Sequence, residues 1–331
     1  MKNKRFIGID VSKDTLDVYL HQVNVYFVVP NTPNGFSGLL ETSCKHLKCK
    51  LNDLYFCFEN TGRYSRLLAV FLSESDVLFT MAPAMDIKRS MGMKRGKTDR
   101  LDAKAIALYA WRKRDELIPT RLNSGMVAQL RQLLALREKL VRHRTAYKNS
   151  IKDIHDSFFN GETTLIKESQ KRMIEHLNTE INLLESKIEE VIMASSEWNK
   201  NYKLIQSVRG IGPVLAKYII IYTENFTRIN NAKSFACYSG IAPFEYSSGS
   251  TIRGRTRVHP FANRQLKSLL NIAAMGAIQL KGEYKTYYQR RTDEGKNKMS
   301  TLNIIRNKLV SRIFAVVNRQ TPYVDLSRFT A

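Results

Sequence analysis

Four acids in this chain stand where divalent-metal chemistry on a phosphodiester would need them. Asp10 closes the apolar run Phe6-Ile7-Gly8-Ile9, Glu59 closes the run from Leu54, and Asp99 and Asp102 follow three residues apart in a basic stretch. Carboxylates at strand ends do little for the solubility of a positive protein, whereas divalent cations need hard oxygen ligands. Two Mg2+ ions about 4 Å apart would activate the attacking oxygen and stabilise the leaving oxygen of an in-line displacement. Any one of these acids reads equally well as a cap or a solvated side chain; the joint placement of all four favours the metal. Asp14 and Asp17 compete locally with Asp10, and Asp14 reads as a turn residue.

Other positions point to a phosphate partner. In Leu204 to Ile219 the turn Gly210-Ile-Gly212-Pro213 joins two apolar helical segments and resembles a helix-hairpin-helix element, whose glycines let a backbone approach phosphate. A plain tight helix-helix turn is the competing reading. Ser247 and Ser248 precede Gly249, and Arg253, Arg255 and Arg257 follow. A serine beside guanidinium groups can attack phosphorus, although Ser-Ser-Gly is also common loop chemistry. Residues 88–114 hold ten Lys or Arg against two acids. Within them Lys94, Arg95, Lys97 and Arg100 are candidate nucleic-acid contacts. A second basic region, 253–298, interleaves its charges with Phe261, Tyr284, Tyr287 and Tyr288, which suits phosphate contact plus base stacking.

The composition agrees. Among 331 residues, 53 Lys plus Arg against 30 Asp plus Glu give a formal charge of +23, so a polyanion is the expected partner. An apolar content of 43% excludes a disordered chain. The best apolar stretch, Val214 to Tyr222, is too short to span a bilayer and is broken by Lys217. The start, Met-Lys-Asn-Lys-Arg, lacks a signal-peptide core, so a cytoplasmic, nucleoid-associated protein is expected. Cys44, Cys49, Cys57 and Cys237 show no paired spacing and the histidines form no ligand pair, which argues against structural zinc.

The elements that must position these residues can be read from periodicity. Strands are predicted over Arg5 to Asp10, Thr15 to Leu20 and Val25 to Pro30 as an antiparallel meander. A helix over 36–48, a strand over Leu54 to Glu59, a helix over Tyr64 to Ser73 and a strand over Val77 to Met81 follow. That order is the order of a ribonuclease-H-like sheet, in which the ends of the first and fourth strands are neighbours. Thr98 is placed to cap a helix from Asp99 to about Trp111, so that Asp99 and Asp102 share its first turn.

Beyond this region a long helix is predicted over Val127 to Ile154, with Leu133, Leu136, Leu140, His143 and Tyr147 as an imperfect seam. Ile174, Leu177, Ile181, Leu184, Ile188 and Val191 then follow at spacings of 3, 4, 3, 4 and 3, the pattern of a coiled-coil arm or helical hairpin. Self-packing and dimerisation explain that pattern equally well. From Tyr202 the chain reads as mostly helical, with a Gly/Ser-rich loop over Ser247 to Gly254. Three parts are expected: an α/β ribonuclease-H-like domain over 1–115, a helical coiled-coil arm over 116–200, and a mostly α-helical C-terminal domain over 201–331.

The set Phe6-Ile-Gly-Ile-Asp10-Val-Ser-Lys, Phe58-Glu59-Asn-Thr-Gly62, Lys97-Thr-Asp99-Arg-Leu-Asp102-Ala, Gly210-Ile-Gly-Pro-Val-Leu-Ala216 and Gly240-Ile-Ala-Pro243 through Ser248-Gly249 resembles the DEDD transposases of bacterial insertion sequences. Piv-like DNA invertases look similar. The resemblance implies a ribonuclease-H-like domain holding Mg2+ through Asp10, Glu59, Asp99 and Asp102, and a C-terminal domain whose serine nucleophile would be Ser248. It also implies a phosphoserine link to DNA and an element-encoded guide, or bridge, RNA that pairs with donor and target DNA. The chain departs from the family in Val258-His-Pro-Phe-Ala262-Asn-Arg-Gln-Leu266, where many relatives carry Lys-Arg-Gly-Asn.

The expected protein is therefore an RNA-guided, Mg2+-dependent recombinase acting on double-stranded DNA as a dimer or tetramer, away from membranes. A hydrolytic Holliday-junction-resolvase-like nuclease would share the acids and use water in place of Ser248. A sugar-kinase or actin-like ATPase would share the first strand, but this chain lacks the second glycine-rich phosphate loop that such an enzyme needs. A non-catalytic binder would leave the acids unexplained.

Overall fold

Why the first strand carries a glycine at position 8 becomes clear from what lies on top of it. The computed structural model describes residues 4–91, 98–122, 125–154, 162–248 and 252–324, with the backbone alone over 244–248 and 252–257. The chain divides into two units, residues 1–123 and 124–331. In the first, β1 (Arg5–Val11), β2 (Thr15–Leu20), β3 (Val25–Pro30), β4 (Leu54–Glu59) and β5 (Leu78–Ala82) form one sheet in the order β3-β2-β1-β4-β5. β1 to β3 are an antiparallel meander, while β4 and β5 run parallel to β1. Residues 118–120 extend the outer edge, with Thr120 N–H donating to the Phe79 carbonyl at 2.8 Å.

Both faces of the central strands are covered, so β1 and β4 read as near-continuous apolar runs rather than alternating ones. Ile7, Ile9, Phe56 and Phe58 pack with Phe36 and Leu39 of α1 (Pro33–Leu47) and with Leu68 and Leu72 of α2 (Arg63–Glu74). Phe6, Tyr55 and Cys57 point the other way. They meet Ile87 of α3 (Ala84–Met91) and Ile106 and Ala110 of α4 (Asp99–Arg112).

A Cβ on Gly8 would lie 2.3 Å from the Ala103 carbonyl oxygen and 2.2 Å from the Ala107 nitrogen. These are backbone atoms of α4, so the helix rests directly on the strand, and Ala103 and Ala107 keep its underside flat.

The second unit begins with α5 (Gly125–Asp153) and α6 (Glu162–Met193), which pack on each other within the chain. Arg137 donates to Glu185 at 2.7 Å, Arg144 to Asn178 at 2.8 Å, and Gln170 to Ser150 at 3.0 Å. Because one partner number climbs as the other falls, the helices are antiparallel. Leu177, Ile181 and Ile188 of the heptad set are buried. The α5 seam differs from expectation: its buried residues are Val127, Leu130 and Leu134, whereas Leu136 is 46% exposed and His143 is exposed.

Leu130, Leu134, Ile188 and Ile192 join one core with the helices that follow. These are α7 (Ser196–Ser207), α8 (Pro213–Thr223), α9 (Ala232–Tyr238), α10 (Arg264–Gln279), α11 (Glu283–Asp293) and α12 (Lys298–Arg319). α8 is apolar on nearly every side and lies in the middle, as such a sequence requires. Its single charge, Lys217, is buried and is answered by Glu189 at 2.8 Å and the Glu185 carbonyl at 3.0 Å. Of the loop expected over Ser247 to Gly254, Ser247 and Ser248 belong to β6 (Phe244–Ser248) and residues 252–254 to β7 (Ile252–Arg257), which pair antiparallel, while 249–251 lie outside the described residues. The expected mixed α/β sheet followed by a mostly helical region is what the structure has. Among the described residues no helix is long and apolar enough to cross a membrane.

Gly8→Ala should destabilise the protein by about 3 kcal/mol, the upper end for overpacking, because its obstacle is backbone rather than a side chain that can turn away. Denaturant unfolding of the purified variant measures this. A stability equal to the parent's would mean that α4 is not seated on β1.

Candidate active site

The side chain of Asp10 leaves the sheet on the face that α4 covers. Ile9 of β1 pairs with Phe58 of β4, and both enter the layer of α1 and α2. Successive strand side chains alternate, so Asp10 and Glu59 both turn toward α4. On the other side of β1, Asp10 pairs with Asp17 of β2.

The N-terminal turn of α4 supplies the remaining acids. Thr98 caps it, its hydroxyl oxygen accepting from Leu101 N–H at 3.3 Å. One helical turn separates Ala107 from Ala103, and a further turn reaches Asp99, while Gly8 and Asp10 are two residues apart on β1. Seating Ala103 and Ala107 over Gly8 therefore carries Asp99 and Asp102 toward the Asp10 end of the strand. Asp99 is exposed, and Asp102, Asp10 and Glu59 are half-buried.

These carboxylates act on one another. Burial, followed by the charges of Asp102, Asp99, Asp17 and Glu59, pushes the Asp10 carboxyl up from 3.8 to about 6. Among the described residues, no lysine or arginine forms an ion pair with any of the five. Among the same residues, no group of three or more His, Cys, Asp or Glu side chains is arranged to hold a metal ion. The acids share a field at the end of β1 without forming a closed cage. Their chemistry still fits a hard divalent cation: they offer only oxygen donors, and no cation among the described residues is paired with them.

Sequence reasoning left Asp17 as a mere rival of Asp10. It is 7% exposed, and the Tyr26 hydroxyl donates to it. That bond, with burial and the charges of Asp17 and Asp99, pushes the Tyr26 hydroxyl up to about 12. The guanidinium of Arg100 lies 5.4 Å from the Tyr26 ring centre, and the Lys104 ammonium 5.6 Å from that of Tyr19. α4 thus presents its acids to β1 and its cations to the aromatic rings of β2 and β3. Asp17's place depends on the β1–β2 register, which the sequence shows only as two adjacent runs.

The remaining predicted residues are placed as follows. Lys94, Arg95 and Lys97 lie outside the described residues. Gly210 has φ +90°, and a Cβ there would lie 2.8 Å from the Ala277 Cβ of α10. Conformation and helix packing account for this glycine without a phosphate. Gly212 instead has open space around it and stands at the N-cap of α8, ahead of Pro213. Ser248 is the last residue of β6, opposite Ile252, while Ser247 is opposite Arg253 and Phe244 opposite Arg257. Arg255 lies between them on β7.

The α/β unit with its acidic locus and the helical unit with its hairpin accompany a likeness to known transposases. Residues 7–160 match the transposase family of the DEDD IS110 type, and residues 202–289 match the transposase family IS116/IS110/IS902. The pilin gene-inverting protein of Moraxella bovis is 24% identical over 97% of this chain and 98% of its own length. That of Moraxella lacunata is equally similar. The transposase for insertion sequence element IS1111A of Coxiella burnetii is 24% identical over 70% of this chain and 69% of its own. The chain belongs to the IS110 family of DEDD transposases and DNA invertases.

The raised Asp10 carboxyl has a consequence for stability. Between about pH 4 and pH 6 the folded protein binds a proton at Asp10 that the unfolded chain has released, so this residue's contribution to stability falls as pH rises. In metal-free buffer Asp10→Asn should remove that fall and be more stable than the parent at pH 7. Denaturant midpoints measured across this range check it, and parallel curves for the two proteins would show that Asp10 feels no such field.

Proposed function

We propose that this transposase cuts and rejoins DNA through a serine-linked intermediate, with Mg2+ held by Asp10, Glu59, Asp99 and Asp102. The observation that carries this reading is the four-acid field at the end of β1, which no basic side chain among the described residues pairs with and a divalent cation would offset. Carboxylates that repel one another stand apart without a cation, and metal sites of this kind commonly form as the ion binds. When bound, Mg2+ supplies charge stabilisation at the reacting phosphoryl oxygens. The sheet order, with its antiparallel meander and two parallel strands, supports a ribonuclease-H-like domain.

In this reading the Ser248 hydroxyl loses its proton and its oxygen attacks phosphorus. The new P–O bond forms as the bond to one deoxyribose oxygen breaks, and that oxygen leaves with the electron pair and becomes a hydroxyl. A hydroxyl end from another strand later attacks the phosphoserine and restores both the DNA backbone and the serine. Cleavage is thereby reversible without hydrolysis. Arg253 stands opposite Ser247 in the hairpin, which supports a role for it in phosphate binding.

Double-stranded DNA is the substrate in this reading, and the +23 charge also suits a guide RNA that selects donor and target by pairing. Strand exchange calls for more than one copy of the chain. A homo-oligomer would let the acids of one subunit serve the serine of another.

Asp10→Asn should lower strand cleavage about a hundredfold or more while leaving nucleic-acid binding nearly unchanged. Ser248→Ala should abolish the protein–DNA adduct seen on denaturing gels. Full cleavage by Ser248→Ala with no adduct would instead favour water as nucleophile, the chemistry of a junction-resolving nuclease.

A further inference from the structure

A charge on α12 has no counterpart in its surroundings. Arg306 is 5% exposed. No hydrogen bond or ion pair reaches its guanidinium from the described residues, and its Nε is sealed from solvent without a partner. Burial pulls its pKa below the usual arginine value. Arginine does not escape this situation by losing its proton, so an unpaired guanidinium among core residues is unfavourable in the folded state. Lys217, the other buried cation of this unit, is answered by Glu189. Arg306 differs in that nothing among the described residues offsets it.

Its neighbours on the helix show what it stands beside. Asn303, Arg306 and Asn307 follow at helical spacing and share one face of α12. Both asparagine amides donate to the Ile241 carbonyl, at 2.9 and 3.1 Å, and the Asn307 amide also donates to the Asn303 carbonyl at 2.9 Å. Ile241 lies three residues before Phe244, where the strand ending in Ser248 begins. The two asparagines therefore fix the entry of the serine hairpin, and the unpaired guanidinium belongs to the same helix face.

We propose that Arg306 is a phosphate receptor of the C-terminal unit, its planar fork donating to the oxygens of a phosphodiester of the DNA substrate. Asn303 and Asn307 act as positioning residues for the segment leading to β6. A bidentate phosphate supplies both the missing counter-charge and the missing acceptors. That this phosphate is the one Ser248 attacks rests on the serine reading, whereas phosphate binding by Arg306 does not.

The test uses the full chain and compares Arg306→Met, Arg306→Lys and, as an exposed-charge control on α7, Lys200→Met. Without phosphate, Arg306→Met should unfold a few degrees above the parent, because an unanswered buried cation has been replaced by an apolar side chain of similar length. Inorganic phosphate added at constant ionic strength should raise the unfolding temperature of the parent and of Lys200→Met, but not of Arg306→Met. Affinity for a short DNA duplex should fall about tenfold in Arg306→Met and less than about twofold in Lys200→Met.

A lower unfolding temperature in Arg306→Met together with an unchanged phosphate response would overturn the proposal, since the guanidinium would then be structural. Should the methionine variant fail to fold, Arg306→Lys decides: it keeps the charge without the fork, and a phosphate response equal to the parent's also overturns it. Ser248→Ala separates the two readings. It should keep the phosphate response, and persistence of the DNA adduct in it would remove the serine reading while leaving Arg306 as a phosphate receptor.

Discussion

The contact of α4 with β1 at Gly8 governs the first unit. A helix pressed to within van der Waals reach of a strand's backbone needs a strand residue without a side chain and helix residues hardly larger, which Gly8, Ala103 and Ala107 provide. That seating sets how far along the strand the first turn of α4 extends. Asp99 and Asp102 reach Asp10 because the helix cannot ride higher on the sheet. Most of α4 is packing surface, and its only acids occupy the first turn, where the positive end of the helix dipole favours them.

The same arrangement explains how a strongly basic protein keeps an acidic locus. Cations near the site are drawn elsewhere: Arg100 and Lys104 lie over the rings of Tyr26 and Tyr19. Asp17 is buried under the Tyr26 hydroxyl. Asp10 is left among carboxylates, with its charged form disfavoured by burial and by every acid around it. If the site receives the proposed metal, neutralising it internally by lysine or arginine would remove the attraction for the ion.

Much of this was legible in the sequence wherever a pattern is local. The runs Phe6 to Ile9 and Leu54 to Phe58 announce buried strands, Thr98 announces a cap, and the spacing of Leu177, Ile181 and Ile188 announces a buried helix face. The rest depends on partners that only the folded chain supplies. The hairpin of β6 and β7 has apolar or aromatic residues only at Phe244, Tyr246 and Ile252, and the rest is mostly Ser, Gly and Arg, too brief an alternation to mark its strands. Leu136 fits the seam drawn on α5, but the packed stripe runs through Leu130 and Leu134 because α5 also faces the helical core. Gly210 looks like a phosphate-binding glycine, and its φ of +90° with Ala277 at its back accounts for it by packing alone.

Each unit holds a charge that burial disfavours and that no ion pair among the described residues answers. Asp10 is such a group in the first unit and Arg306 in the second, and they have opposite signs. Natural cores rarely keep a buried charge without a partner, because one substitution to an apolar residue removes the penalty. Retaining one is intelligible when the counter-charge arrives from outside and is present only while the protein works. A divalent cation and a phosphodiester are the two species that the proposed metal-dependent recombination would require, and they match these two charges one to one. Stability forgone in the empty protein then becomes binding energy in the loaded one, which is also why such positions should respond to ligand concentration where ordinary core residues do not.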